Sequence, residues 1–330
     1  MKLFGAIALA CAVMFAPAAQ ALEGKLVHVK VTSANVPGPV DLAIYTPPGY
    51  DPKRAAAYPL IVQLHGGGGS SENMTGMAEY LETAIKQGLV PASVSVMPSV
   101  GRSFYMDYRD GSQKWETFVV TDLLAHMRKD YNVAKGREGT LITGISMGGM
   151  GSLRIAFKHP DVFAAVASME PGIEPVLAYK DIQLRDRFWR DDALFQTIYG
   201  KPLDEAYWAA NNPATIANTD PERLVGLGIY LEAGDQDSFF LHHGTEFVHR
   251  ILFDKGVSHE YRLVRGADHV GPSIPPRFLV AMEFFGRVLN PPKNWTEAPA
   301  VQQARQRVDN FKKGAGYPVN PVDGRRLRTQ

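Results

Sequence analysis

The chain has 330 residues, 45% hydrophobic and 21% charged, with a formal net charge of +1. That is ample apolar material for a buried core, and the 31 glycines and 23 prolines are scattered rather than periodic, which excludes collagen-like and low-complexity structure. The near-neutral balance offers no basic face, so no nucleic-acid partner is expected.

The first 21 residues predict a compartment. Lys2 precedes an uncharged run from Leu3 to Pro17, and Ala19-Gln20-Ala21 has the small-x-small spacing that a signal peptidase reads. The run is too short to span a bilayer comfortably. Residues 1–21 are therefore expected to be a signal peptide cut after Ala21, with a periplasmic or secreted product and no stable membrane insertion. The one cysteine, Cys11, falls inside this segment, and Ala8 stands where a lipoprotein signal prefers a large aliphatic residue. Cysteine-nucleophile chemistry, disulfides and Cys-ligated zinc are thereby excluded from the mature chain.

Beyond the signal, β-rich runs alternate with helical patterns, the mark of an α/β sheet. Lys25–Ser33 and Val40–Pro48 read as a hairpin. Tyr58–Gly66, Ser93–Ser99, Gly139–Ser146, Ala164–Glu170, Gly226–Gly234 and His259–Gly266 follow, several of them almost purely apolar, as strands buried on both faces are. Helical periodicity marks Met74–Gln87, Phe118–Tyr131, Gly149–Lys158, Leu241–Phe253 and Phe278–Leu289. The count predicts about eight mostly parallel strands with helices on both faces, in one domain over residues 22–290. Residues 171–225 interrupt that rhythm with Phe188, Trp189, Phe195, Tyr199, Tyr207 and Trp208, and are expected to cap a site. Residues 291–330 carry eight Lys/Arg against three Asp/Glu, a basic C-terminal extension to which no function is attached.

Gly144-Ile145-Ser146-Met147-Gly148 is a G-x-S-x-G between an apolar strand and a helical run, the setting of a nucleophile elbow. Serine attacks only when a base takes its proton. Where a strand–turn–helix elbow carries the serine, the acid and then the histidine follow on loops at later strand ends. His269 follows the last strand and fits the base. His259 begins a strand at the opposite edge, and His242, His243 and His249 share a helix without an H-E-x-x-H zinc pattern. The acid is sought after Gly234, where Asp237 has the better reach and Asp235 is the alternative. Strand Tyr58–Leu64 ends in His65-Gly66-Gly67-Gly68-Gly69, a glycine run that lets backbone N–H groups approach a ligand closely. The amides of Gly67 and Met147 are the expected oxyanion donors. No G-K-[ST] follows to make it a phosphate loop. His65 is placed with the substrate-binding residues, as a loop anchor rather than a second base.

These motifs, with Ser103-Phe104-Tyr105, Asp107, Lys114-Trp115-Glu116-Thr117-Phe118, Gly149, Gly234–Phe239 and Asp268-His269, resemble the esterase D family of α/β-hydrolases over about Leu42 to Leu289. That family includes S-formylglutathione hydrolases, feruloyl and acetylxylan esterases and mycolyltransferases. The resemblance implies an α/β-hydrolase fold with the cap-like insertion before the acid-bearing strand. It implies Ser146, Asp237 and His269 as the triad, Gly67 and Met147 as oxyanion donors, and Ser103, Phe104 and Tyr105 near the substrate. The expected activity is ester hydrolysis through an acyl-enzyme, with no metal or organic cofactor. The substrate is expected to be a small-molecule or polysaccharide-linked ester. The alternatives are acyl transfer to a sugar or lipid alcohol, and a non-catalytic carbohydrate-binding relative. The residues fix neither the acyl group nor the oligomeric state.

Overall fold

The apolar runs become the strands of one sheet because each can bury both faces only with neighbours on either side. The computed structural model describes residues 22–186, 192–292 and 297–316; the expected signal peptide, residues 1–21, lies outside the described residues, as do Phe188 and Trp189. In chain order the strands are β1 (Lys25–Thr32), β2 (Pro39–Thr46), β3 (Leu60–Leu64), β4 (Val94–Pro98), β5 (Thr140–Ile145), β6 (Ala165–Met169), β7 (Gly228–Gly234) and β8 (Glu260–Val264). They lie in the order β1-β2-β4-β3-β5-β6-β7-β8. β1 and β2 form the predicted hairpin, with Lys25 opposite Thr46, and β2 meets β4 antiparallel. Every later pairing is parallel. β3 to β6 are buried almost throughout, whereas edge strand β8 exposes Glu260, Arg262 and Leu263, and its two charged side chains disfavour pairing with another chain.

Helices cover both faces. α1 (Met74–Lys86) opens the chain order, followed by α2 (Trp115–Thr117), α3 (Leu124–Asp130), α4 (Met147–Lys158), α5 (Asp192–Tyr199), α6 (Glu205–Ala210), α7 (Pro213–Thr219), α8 (Leu241–Asp254), α9 (Ile274–Leu289) and α10 (Pro299–Gly314). α1 and α9 share one core with Tyr45, Ile61, Leu141 and Tyr230. α4, α7 and α8 pack on the opposite face, around Ile142, Leu153, Val166 and Val248. The helix predicted over Phe118–Tyr131 begins earlier and is not uniform: Phe118–Leu123 is π-helical between α2 and α3. There the Thr121 hydroxyl donates to the Thr117 carbonyl at 2.6 Å and competes for a ladder acceptor. In the basic extension, α10 buries no residue and exposes Val308 and Phe311.

The described residues of the 171–225 segment pack beside the sheet; residues 187–191 of the expected cap lie outside the described residues. Its described aromatic residues turn to the flank of the sheet: Phe195 meets Phe104 with ring centroids 6.1 Å apart, and Tyr179 meets Trp208 at 5.8 Å. Asp204 holds Arg109 at 2.7 Å, the Tyr207 hydroxyl donates to the Asp107 carbonyl, and Asn211 accepts from Lys158 of α4. None of its described residues lines the cavity described below.

Candidate active site

The geometry begins at Ser146, between β5 and α4. Its φ of +59° and ψ of −118° are strained for a side-chain-bearing residue. The turn is possible because its glycines remove obstacles: a Cβ at Gly148 would lie 2.0 Å from the Leu64 carbonyl oxygen, and one at Gly144 2.3 Å from the Gly148 oxygen. The amide of Ser146 donates to Met169 and its carbonyl accepts from Met150 and Gly172, so the strained turn is fully tied. Its hydroxyl stands at the N-terminus of α4, where developing negative charge is favoured.

His269, on the loop after β8, brings Nε2 to 3.0 Å from Ser146 Oγ. Its Nδ1 lies 3.1 Å from Asp237 Oδ2, and Asp237 Oδ1 accepts the Phe239 amide at 2.6 Å. Both residues are buried, and Phe239 covers the imidazole with ring centroids 4.6 Å apart. Burial raises the pKa of Asp237, but hydrogen bonds from His269 and Glu170 override it and hold the carboxyl below its ordinary value. The alternative, Asp235, is engaged elsewhere: its carboxylate accepts the Gly266 amide at 2.6 Å and fastens the exit of β7 to that of β8. Asp268 accepts the amides of Ser238 and His269.

The glycine loop runs beside the elbow. A Cβ on Gly67 would stand 3.9 Å from that of Met147, and neither amide donates to an acceptor among the described residues. Both are therefore available to an oxygen placed between them. His65 is buried beneath. Its Nδ1–H donates to the Gly66 carbonyl at 2.8 Å and its Nε2 accepts the Val100 amide at 3.2 Å. Burial lowers its pKa, which suits this neutral tautomer.

A cavity of about 840 Å³ opens over Ser146 and His269. Its walls are mainly apolar, with Met77, Tyr80, Phe104, Phe239, Val270 and Phe278 among them. Of the residues expected to touch substrate, Phe104 and His65 reach this wall. Ser103 and Tyr105 are not among the residues that line it. Ser103 Oγ accepts the Tyr105 amide, and Tyr105 is fully buried, its hydroxyl donating to the His65 carbonyl at 3.1 Å. Its ring lies so close to α4 that a Cβ at Gly151 would sit 2.7 Å from it. Both residues brace the loop from behind.

Three further side chains belong to the site's support: Glu116, from the Trp-Glu-Thr-Phe motif, and two arginines that no motif singles out. Arg154, fully buried on α4, donates to the carbonyls of Phe104 (3.0 Å) and Tyr105 (2.6 Å) and pairs with Glu116 at 3.3 Å. Glu116 also meets Lys158 and His159, at 2.7 and 3.0 Å. On the other face Arg277 of α9 bridges Glu170 and Glu232. The only sequence signal for the two arginines is a charge inside an otherwise apolar helical stretch. Asp107 accepts the amide and hydroxyl of Thr117, which accounts for the pairing of those two motif positions.

Residues 33–273 match the family model described as putative esterase. An esterase of Mycobacterium tuberculosis, Rv1288, is 30% identical over 167 residues, covering 47% of this chain and 35% of its own length. The chain thus spans about a third of that relative. Among solved structures, a ferulic acid esterase superposes with a TM-score of 0.68 at 21% identity, covering 82% of this chain and 100% of its own. An S-formylglutathione hydrolase from Agrobacterium tumefaciens gives 0.61 at 19%, covering 80% and 94%. Both likenesses share the α/β-hydrolase fold.

Proposed function

Because the chain belongs to the putative esterase family, we propose that it is an exported serine carboxylesterase working through Ser146, His269 and Asp237. The observation that carries this reading is the continuous contact from Ser146 Oγ through the imidazole to Asp237, at 3.0 and 3.1 Å, under an open apolar cavity. His269 Nε2 takes the Ser146 proton as Oγ attacks the ester carbonyl. Asp237 keeps the proton of the neutral ring on Nδ1 and stabilises the imidazolium that forms. The amides of Gly67 and Met147 hold the oxyanion; each such donor contributes about 10²–10³ in rate. His269 then protonates the leaving alcohol. Water, activated by the same ring, releases the acid and restores Ser146. The apolar walls suit an acyl or aromatic group of a small-molecule ester. Cleavage after Ala21 would deliver the mature enzyme to the periplasm or beyond, which N-terminal sequencing of the exported protein checks.

A fluorophosphonate probe should label the wild type at one site and leave Ser146→Ala unlabelled, with loss of hydrolysis of p-nitrophenyl acetate. Equal labelling of Ser146→Ala, or none in the folded wild type, overturns the assignment.

A further inference from the structure

Behind the His269–Asp237 pair lies a carboxyl group that the reaction does not use. Glu170 follows β6, is fully buried and holds a φ of +46°. One of its oxygens, Oε1, accepts the Gly234 amide at 2.8 Å and the Arg277 guanidinium at 2.5 Å. The other, Oε2, is buried with no donor facing it among the described residues. What this carboxyl does face is Asp237. An oxygen of each acid and a ring nitrogen of His269 lie within 4.8 Å of one another. Two buried carboxyl groups brought this close are compatible as hydrogen-bond partners only when one of them carries a proton. Asp237 already accepts from His269 and from the Phe239 amide, which favour its charged form, so the proton falls to Glu170.

Resting on the triad reading above, we propose that Glu170 is a positioning residue for the catalytic acid: as a neutral carboxylic acid it donates to the Asp237 carboxylate and fixes that group against His269 Nδ1.

The surrounding charges fit this assignment. Arg277 comes from α9 and is shared with Glu232 of β7 at 2.7 Å, so it does not neutralise Glu170 alone. The Tyr230 hydroxyl, also on β7, donates to the far oxygen of Glu232. Asp268, on the loop before His269, is occupied by the Ser238 and His269 amides. With Glu170 neutral, Arg277 balances Glu232, and Asp237 balances the imidazolium of the transition state. Burial and the neighbouring Asp237 push the Glu170 pKa up to about 8, against the pull of Arg277. Above that pH the donor is lost and a second negative charge stands against Asp237, so kcat/KM should fall.

The test compares wild type, Glu170→Gln and Glu170→Ala. Glutamine retains an oxygen for Gly234 and Arg277 and offers Asp237 an N–H donor at every pH. The wild-type profile of kcat/KM should break downward near pH 8. Glu170→Gln should lose only about threefold at pH 7 and lack that break, whereas Glu170→Ala should lose about tenfold or more in kcat with KM little changed. Survival of the break in Glu170→Gln, or a loss in it as large as in Glu170→Ala, overturns the proposal. Where Glu170→Ala does not fold, the glutamine variant decides. An infrared difference spectrum of wild type against Glu170→Gln reads the proton directly: a neutral carboxyl band is expected at about pH 6, fading through about pH 8, and its absence overturns the proposal. That reading does not depend on turnover, so failure of the esterase reading, seen as an unlabelled Ser146, is distinguishable from failure of this one.

Discussion

Asp235 and Asp237 stand two residues apart on one loop and hold different partners. Asp235 accepts the Gly266 amide, a tie between two strand ends, while Asp237 holds the imidazole. Asp237→Asn should therefore lower kcat by about 10⁴, because the ring is then stabilised in the wrong tautomer. Asp235→Asn should cost about 1 kcal/mol of stability and little activity. Turnover and urea titrations on both variants check this; a reversed pattern moves the acid to Asp235. Which of the two meets the imidazole was legible in the sequence, because distance past the strand end limits what a carboxylate can reach. Glu170 was not legible. A carboxyl after β6 resembles any loop residue until the fold closes β6 against β7 and brings it beside Asp237. The placement of Ser103 and Tyr105 was hidden for a related reason: a motif gives neighbours in the chain, not which side of the loop each side chain takes.

The elbow links two elements, since Gly148 on α4 lies directly against the end of β3. A methyl group there would meet the carbonyl oxygens of Leu64 at 2.0 Å and His65 at 2.7 Å, both backbone atoms with little freedom to yield. Gly148→Ala should push α4 away from the glycine loop and separate the Gly67 and Met147 amides. We expect a stability loss of about 1–3 kcal/mol and a fall in kcat of about 10², the worth of one oxyanion donor. Thermal unfolding with turnover measures both; full activity with unchanged stability would show that the contact does not position the donors. At this scale the sequence was a good guide. All eight strands form, with ends that shift by no more than two residues, because continuous apolar runs such as Leu60-Ile61-Val62 admit few other fates. The π-helical stretch at Phe118–Leu123 was hidden, as it depends on one hydroxyl competing for one carbonyl. The aromatic insertion was legible as an insertion, but not which rings its described residues would meet. Phe195 packs against Phe104 on a distant loop, and Trp208 against Tyr179 within the insertion, contacts that periodicity does not see.

Across the whole molecule, one buried arginine on each face of the sheet supports the loops around Ser146. Arg277 of α9 holds Glu170 and reaches the Asp268 carbonyl at 3.3 Å; Arg154 of α4 holds the carbonyls of Phe104 and Tyr105. A buried guanidinium is tolerable only with its counter-charge, and for Arg154 that charge is Glu116. Burial raises the pKa of Glu116, but the hydrogen bond from His159 and the charges of Arg154 and Lys158 outweigh it and bring the value down to about 2. A carboxyl lowered in the folded state contributes stability that is present above its unfolded pKa and lost as pH falls through the folded one. The window here runs from about 4.5 down to about 2. Glu116→Gln leaves Arg154 uncompensated and should cost about 3–5 kcal/mol near pH 7. The gap to wild type should shrink as pH falls through that window, because the wild type then protonates the same carboxyl. Urea titrations of both proteins at pH 7 and at about pH 3 measure it. A gap that is absent at neutral pH, or unchanged by acid, would mean that Arg154 keeps its place through the Phe104 and Tyr105 carbonyls alone, with Glu116 contributing no net stability.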